Sequence, residues 1–341
     1  MKGMIQLQKA MFPDLVDIMQ KRYTILYTIS ILGPVGRRGV VDKTNFQERF
    51  VRNELNTLLK QEFIGSSTKG MYITDDGKKM VEDLREFIKE LTGLNELELS
   101  IEEKTGIPKV IVIPGDSEQD VFGKQELGRA AVNYLEEIVQ HDETIAVTGG
   151  TTMAAISDVM RPFTGVHCTF VPARGGVGEK VENQANTIAA QMAKMENGDY
   201  HLLHVPDPLS ETLYQTILQE PSIKETLPYI KNAGMVLHGI GDAFSMAERR
   251  KTSAEIIEKL QDASAVSEAF GYYFNEQGDI VHKVRTVGIH LEDLENMKVI
   301  TVAGGTSKVN AIASFIKQRK TDVLITDEVA AQQLVNENIL S

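Results

Sequence analysis

Ile145-Ala-Val-Thr-Gly-Gly-Thr-Thr-Met153 runs from an apolar strand signal into two glycines and two hydroxyl residues, and Ala154-Ala-Ile156 carries it on as a helix start. Glycines at such a junction let the backbone approach a ligand closely. The unpaired amides of the first helical turn point outward, and the threonine hydroxyls add donors. Together these features form an anion cradle, and phosphate is its usual guest. Val299-Ile-Thr-Val-Ala-Gly-Gly-Thr-Ser-Lys308 repeats the same order of residue types and adds a lysine. Either turn alone is equally well explained as a sharp strand-to-helix connection. The repeat points to one ligand anchored at both ends, because ligands of open α/β sheets bind outside the carboxyl ends of strands.

From residue 108 onward, short apolar runs alternate with helical patterns. Residues 109–114, 166–172, 201–206, 234–241 and 322–326 read as further strands, and residues 123–139 as a helix with Leu127, Ala131, Leu135 and Ile138 inward. This alternation implies a mostly parallel, doubly wound α/β sheet of Rossmann-like architecture. His204 and His238 fall within apolar runs and read as satisfied core residues, and Asp242 reads as a helix N-cap.

Phosphate recognition needs cations as well as amides. Arg174 precedes Gly175-Gly176, where the backbone can turn sharply toward a ligand, and its planar fork can hold two phosphate oxygens. Lys308 is a compact charge beside its own turn. Arg249 and Arg250 follow the Gly239-Ile-Gly241 loop, while Gln184 and Glu268 offer partners to sugar hydroxyls. Glu268 is equally well read as a carboxylate paired with a neighbour.

At 341 residues and 42% hydrophobic content, the chain has the length of two or three domains and an ordinary globular composition. Its single cysteine, Cys168, excludes an intrachain disulfide, and no Cys and His cluster suggests a metal. A buried Cys168 in a reducing compartment is expected. The first residues lack the apolar core of a signal peptide, and no run reaches the ~18 apolar residues of a spanning helix, so a soluble cytoplasmic protein is expected. Net charge is −12, which by itself argues against nucleic acid, but the charge is unevenly placed. Residues 1–90 hold 15 Lys and Arg against 12 Asp and Glu, and the remainder holds 21 against 36. A mildly basic head on an acidic body is the asymmetry to explain.

In that head, residues 13–32 carry Leu15, Ile18, Met19, Ile25, Leu26 and Ile29 at helical spacing, and Gly33-Pro-Val-Gly36 stops the helix. Arg37-Arg38 opens the next segment. Residues 44–63 place Val51, Leu55, Leu58 and Leu59 on one face, with Arg49, Arg52, Asn53, Asn56 and Lys60 on or near the other. Two short strand signals then flank Ser66-Ser-Thr-Lys-Gly70, and residues 74–81 start another helix. This is the order of a winged helix-turn-helix, whose second helix enters the major groove and whose basic hairpin tip, here Lys69, reaches phosphate or the minor groove. Double-stranded DNA is the expected partner, with Arg37, Arg38, Arg49, Arg52, Asn53 and Lys69 at the contact. Residues 82–107, with Leu84, Ile88, Leu91 and Leu94, suit a linker helix that either pairs with a second copy or packs on its own domain.

Val35-Gly-Arg-Arg38 followed by Phe50-Val-Arg-Asn-Glu-Leu55 resembles the reading head of bacterial repressors of the DeoR and SorC families. Gly39-Val-Val-Asp-Lys43 departs from the usual Arg-Ser-Leu or Arg-Thr-Leu pattern, which points to a shorter or shifted first helix of the head. Over residues 90–341 the chain resembles the SorC effector domain, itself similar in fold to sugar-phosphate isomerases. Thr148-Gly-Gly-Thr-Thr152, Pro172-Ala-Arg-Gly-Gly176, Gly239-Ile-Gly-Asp242 and Gly304-Gly-Thr-Ser-Lys308 carry the likeness.

The resemblance implies a winged helix-turn-helix over 1–88, a linker helix over 89–107 and a sugar-phosphate-binding effector domain over 108–341. It further implies a repressor of a lower-glycolysis operon of glyceraldehyde-3-phosphate dehydrogenase type, relieved by fructose 1,6-bisphosphate, with no catalytic residue, cofactor or metal. The effector is placed on Gly149, Gly150, Thr151, Thr152, Arg174, Gln184, Arg249, Arg250, Glu268 and Lys308. Self-association to a dimer or tetramer on repeated half-sites is expected. The rivals are a sugar-phosphate isomerase-like enzyme and a sorbitol- or deoxynucleoside-type regulator answering a different phosphosugar. Isomerisation requires a base beside the carbonyl and an acid for its oxygen. The sequence offers no paired carboxylate or carboxylate-histidine set at a strand end, and no G-x-x-x-x-G-K loop.

Overall fold

The computed structural model describes residues 7, 10–120, 123–177 and 180–336. Most of the first nine residues and the end of the 108–341 segment lie outside the described residues. The chain divides into two units, Met1–Glu96 and Leu97–Ser341.

In the first unit, the helix Pro13–Leu32 begins with a proline where no intrahelical amide is needed and ends at Gly33. Arg37–Thr44 is a separate short helix that closes on Asn45 in the left-handed region, φ +54°. The next helix is therefore Glu48–Lys60, starting later than the pattern from residue 44 suggests. Only Val40 is buried in Arg37–Thr44, and Gly39 and two valines are weak helix formers, so periodicity had little to register. Val51, Leu55 and Leu58 share one core with Ile25, Leu26, Ile29 and Val40.

Strands β1 (Ile64–Ser67) and β2 (Gly70–Ile73) form the antiparallel wing, and Val35 bridges Met71. A side chain at Gly70, φ +133°, would put its Cβ 2.6 Å from the Val35 backbone, so the wing closes only on glycine. Thr74 Oγ1 caps the helix Asp75–Thr92 by accepting from Gly77 N at 3.1 Å. That helix stops at left-handed Gly93, φ +79°, and Leu94–Thr105 starts anew. The expected single linker helix over 89–107 is thus two pieces. Ile88 and Leu91 pack on Val16 and Tyr23, so this apolar stripe is buried within its own unit.

The second unit contains β3 (Lys109–Ile113), β4 (Glu143–Val147), β5 (Cys168–Pro172), β6 (Gly176–Val177), β7 (Asp199–Tyr200), β8 (Pro206–Asp207) and β9 (Met235–His238). It continues with β10 (Gly241–Asp242), β11 (Ala265–Ala269), β12 (Tyr272–Asn275), β13 (Ile280–Lys283), β14 (Lys298–Val302) and β15 (Val323–Asp327). A seven-stranded sheet runs in the order β3-β15-β14-β9-β4-β5-β7, with every pair parallel. Ile145, Val147 and Phe170 pack beneath Leu127, Leu135, Ile156, Ile188 and Met192 of the covering helices. From β4 the chain steps outward through β5 and β7, and from β9 it steps the other way through β14 and β15. The β4–β9 boundary is therefore the switch point, whose carboxyl-end crevice is the ligand position of doubly wound sheets.

A four-stranded antiparallel sheet, β10-β11-β12-β13, is a feature the sequence pattern missed. Residues 201–205 do not form the expected strand. Asn186 takes the place of a strand partner, accepting from Leu203 N and donating to its carbonyl, both at 3.0 Å, and this leaves His204 exposed rather than in the core. His238 is fully buried with Nε2 2.8 Å from Thr301 Oγ1, and burial lowers its pKa to about 4. Cys168 is buried and its thiol is pushed up to about 12 by desolvation. Among the described residues, no helix is long and apolar enough to cross a membrane.

Candidate functional site

Both glycine turns line one cavity of about 490 Å³ at the carboxyl ends of β4, β9 and β14. They share a backbone. Gly150, φ +118°, caps the helix Thr151–Asp158, and Gly305, φ +99°, precedes the turn Thr306–Lys308 that feeds the helix Val309–Ile316. The preceding glycines are required by crowding. A Cβ on Gly149 would lie 2.7 Å from Asn183 O, and one on Gly304 2.6 Å from Asp327 Oδ2. Only β9 separates β4 from β14, so at the usual strand spacing the turns lie about 10 Å apart.

Every expected effector residue lines this cavity: Gly149, Gly150, Thr151 and Thr152 from the first turn, then Arg174, Gln184, Arg249, Arg250, Glu268 and Lys308. Lys124 and Glu118, which the sequence reading missed, line it too. Lys124 Nζ donates to Thr151 Oγ1 at 2.9 Å. Lys308 is half-buried and its pKa is lowered, first by burial and then by Arg249 and Lys124, with Asp242 and Glu118 opposing. A half-buried ammonium beside two further cations is a place where an added anion is favoured, and a phosphate supplies one. Asp242 caps its helix as expected, accepting from Ser245 N at 2.8 Å. Gln184 occupies the N-cap position of the helix Ala185–Glu196 without a side-chain capping bond.

The two buried arginines are differently placed. Arg174 Nη1 donates to Glu268 Oε1 at 3.0 Å, and its Nη2 donates to Asp207. Arg250 Nη2 reaches the same Glu268 oxygen at 2.9 Å, and its Nη1 donates to Tyr273 Oη at 3.0 Å. Gly271 N adds a third bond to Glu268 Oε1 at 2.6 Å. Two guanidinium groups and two carboxylates thus form a charge-balanced quartet, of which Arg174, Arg250 and Glu268 line the cavity and Asp207 lies behind them. Burial pushes the Glu268 carboxyl upward, but Arg250 and Arg174 outweigh it and hold it below the usual range. Asp207 was invisible in the sequence because β6 and β8, the pair that brings it here, are two residues each and carry no pattern.

In the first unit, Arg49, Arg52, Asn53, Asn56 and Lys60 are exposed on the face of Glu48–Lys60 opposite its buried residues. Glu54, buried on that inner side, pairs with Arg22 and fixes the helix against Pro13–Leu32. Arg37 and Arg38 are exposed at the start of their helix, and Arg37 Nη2 lies 3.2 Å from Glu48 Oε1. Lys69 is exposed at the wing tip.

The CggR N-terminal DNA binding domain family matches residues 18–88, and the sugar-binding domain family matches residues 89–336. The central glycolytic genes regulator of Priestia megaterium is 49% identical over 340 residues, covering 99% of each chain. That of Bacillus subtilis is 44% identical over 339 residues, covering 99% of this chain and all of the relative. A crystal structure of a SorC family transcriptional regulator from Enterococcus faecalis superposes with a TM-score of 0.67 at 41% identity, over 71% of this chain and 100% of that one. The full-length sorbitol operon regulator SorC from Klebsiella pneumoniae shares the fold, with a TM-score of 0.66 at 17% identity over 89% and 94% of the two chains. With a matching DNA-binding head and a matching sugar-binding body, the chain belongs to the SorC-type transcriptional regulators, in the group of the central glycolytic genes regulators.

Proposed function

We propose that this protein represses a glycolytic operon of glyceraldehyde-3-phosphate dehydrogenase type and releases its operator when fructose 1,6-bisphosphate binds the second unit. The observation that carries the effector assignment is the pair of like-built glycine turns facing one cavity, with Lys124, Arg249 and Lys308 among its lining. A sugar with a phosphate at each end matches two anion sites about 10 Å apart, two strand spacings along the sheet. The polar wall between the turns offers acceptors and donors to its hydroxyls. On the DNA side, the exposed Arg49, Arg52 and Asn53 suit base edges in the major groove, and Arg37, Arg38 and Lys69 suit flanking phosphates. Binding as a dimer or tetramer to repeated half-sites follows from this mode of reading.

Operator release is a linkage effect, limited by the difference in bisphosphate affinity between the DNA-bound and free arrangements. Glu268 argues against turnover, since a carboxylate held ionised by two guanidinium groups is a poor proton shuttle at the sugar carbonyl. A mobility-shift titration of the full chain on DNA upstream of its glycolytic operon, with and without fructose 1,6-bisphosphate, tests the proposal. The shifted complex is expected to form and then to weaken as the sugar is added. Binding that ignores the sugar, or no binding to that DNA, refutes it.

A further inference from the structure

The two glycine turns share a backbone but not their neighbours. At the second, the Ser307 amide donates to Glu118 Oε2 at 2.9 Å, and the Thr306 hydroxyl reaches Asp116 Oδ2 at 3.4 Å. Both carboxylates belong to the loop after β3. Hydrogen bonds from the Ser307 amide and hydroxyl, with help from Lys308 and Lys124, hold the Glu118 carboxyl below its usual range. At the first turn the corresponding neighbour is the Lys124 ammonium, on Thr151 Oγ1. The second turn thus has carboxylates of the protein's own on its amide and hydroxyl, whereas the first has an ammonium group on its hydroxyl.

Resting on the reading of this cavity as a sugar-bisphosphate site, we infer that Glu118 is an intramolecular competitor for the second phosphoryl group and thereby sets how far the site prefers a bisphosphate to a monophosphate. A phosphoryl oxygen and Glu118 Oε2 seek the same donor, the Ser307 amide, and the same positive field of Lys308 and Lys124. Two anions cannot share that amide without repulsion. A phosphoryl group carrying about −1.5 to −2 charge at neutral pH outcompetes one carboxylate, whereas a sugar hydroxyl at the same end does not.

The exchange is local. Glu118 is exposed, but the loop behind it is anchored, with Ser117 N and Oγ both donating to the buried Asp327 Oδ2 and Gly115 N donating to Glu328 Oε2 at 3.1 Å. Rotation of the Glu118 side chain clears the turn while the backbone stays fixed. Removing the competing charge therefore favours the bisphosphate selectively.

Isothermal titration of the full chain with fructose 1,6-bisphosphate and with fructose 6-phosphate, in the wild type and in Glu118→Gln, tests this. Glutamine keeps the shape and the acceptor oxygen but not the charge, and an unchanged melting temperature confirms the fold. Bisphosphate affinity is expected to rise about tenfold, the scale of one hydrogen bond to a charged group, with fructose 6-phosphate affinity unchanged. An unchanged or weaker bisphosphate affinity, or an equal gain for both sugars, overturns the inference and leaves the cavity's function standing. A wild-type chain that binds neither sugar overturns the function and the inference together.

Discussion

The Thr152 hydroxyl sits half-buried on the first turn of the helix that Gly150 caps, where a phosphoryl oxygen would meet it. Valine replaces that hydroxyl at nearly constant volume. Thr152→Val is expected to weaken fructose 1,6-bisphosphate by about 10- to 100-fold, the loss of one charge-assisted hydrogen bond, with melting temperature and operator binding unchanged. Calorimetry on the sugar and anisotropy on the DNA read the two halves. Arg174→Ala is a different experiment, although the sequence sets both residues in the same role. Arg174 is 6% exposed and neutralises Asp207 and Glu268, so its removal leaves buried carboxylates short of a partner. The expected cost is about 3–5 kcal/mol of stability in addition to lost induction. Chemical denaturation checks this, and a loss below about 1 kcal/mol would show that the quartet contributes little to the fold.

At the scale of elements, legibility follows the range of the interactions that specify each piece. The two glycine turns, the wing and the inner face of Glu48–Lys60 are set by adjacent residues or by one helical period, and all were readable. The antiparallel sheet β10-β11-β12-β13 was not, because Gly241 finds its partner at Glu268, far along the chain. Asp207 and residues 201–205 escaped for the same reason, one brought in by a two-residue strand and the other held by a distant asparagine. Glu118 escaped because its loop carries no motif and matters only through the turn it meets. The Glu48–Lys60 helix also makes its own prediction. Arg52→Ala is expected to weaken operator binding at fixed salt without altering sugar affinity. If Arg52 reads a base, sequence preference relaxes and the loss is about 1–3 kcal/mol; a contact to phosphate weakens all sequences alike and lowers the salt slope by about 1. A variant that binds operator normally removes Arg52 from the interface.

For the whole molecule, the division of charge matches the division of labour. The head carries the excess of Lys and Arg, and the acidic body places Lys124, Arg174, Arg249, Arg250 and Lys308 around one cavity. An effector acting there needs a differential affinity of about 1.4 kcal/mol between the two arrangements for each tenfold change in operator affinity. The assignment of this cavity to a bisphosphate rests on a single ligand spanning both turns. A crystal structure of the full chain with fructose 1,6-bisphosphate tests that most directly. One phosphoryl group is expected within hydrogen-bonding distance of residues 150–152 and the other of residues 306–308. A sugar bound away from both turns, or two molecules each holding one turn, would contradict the account.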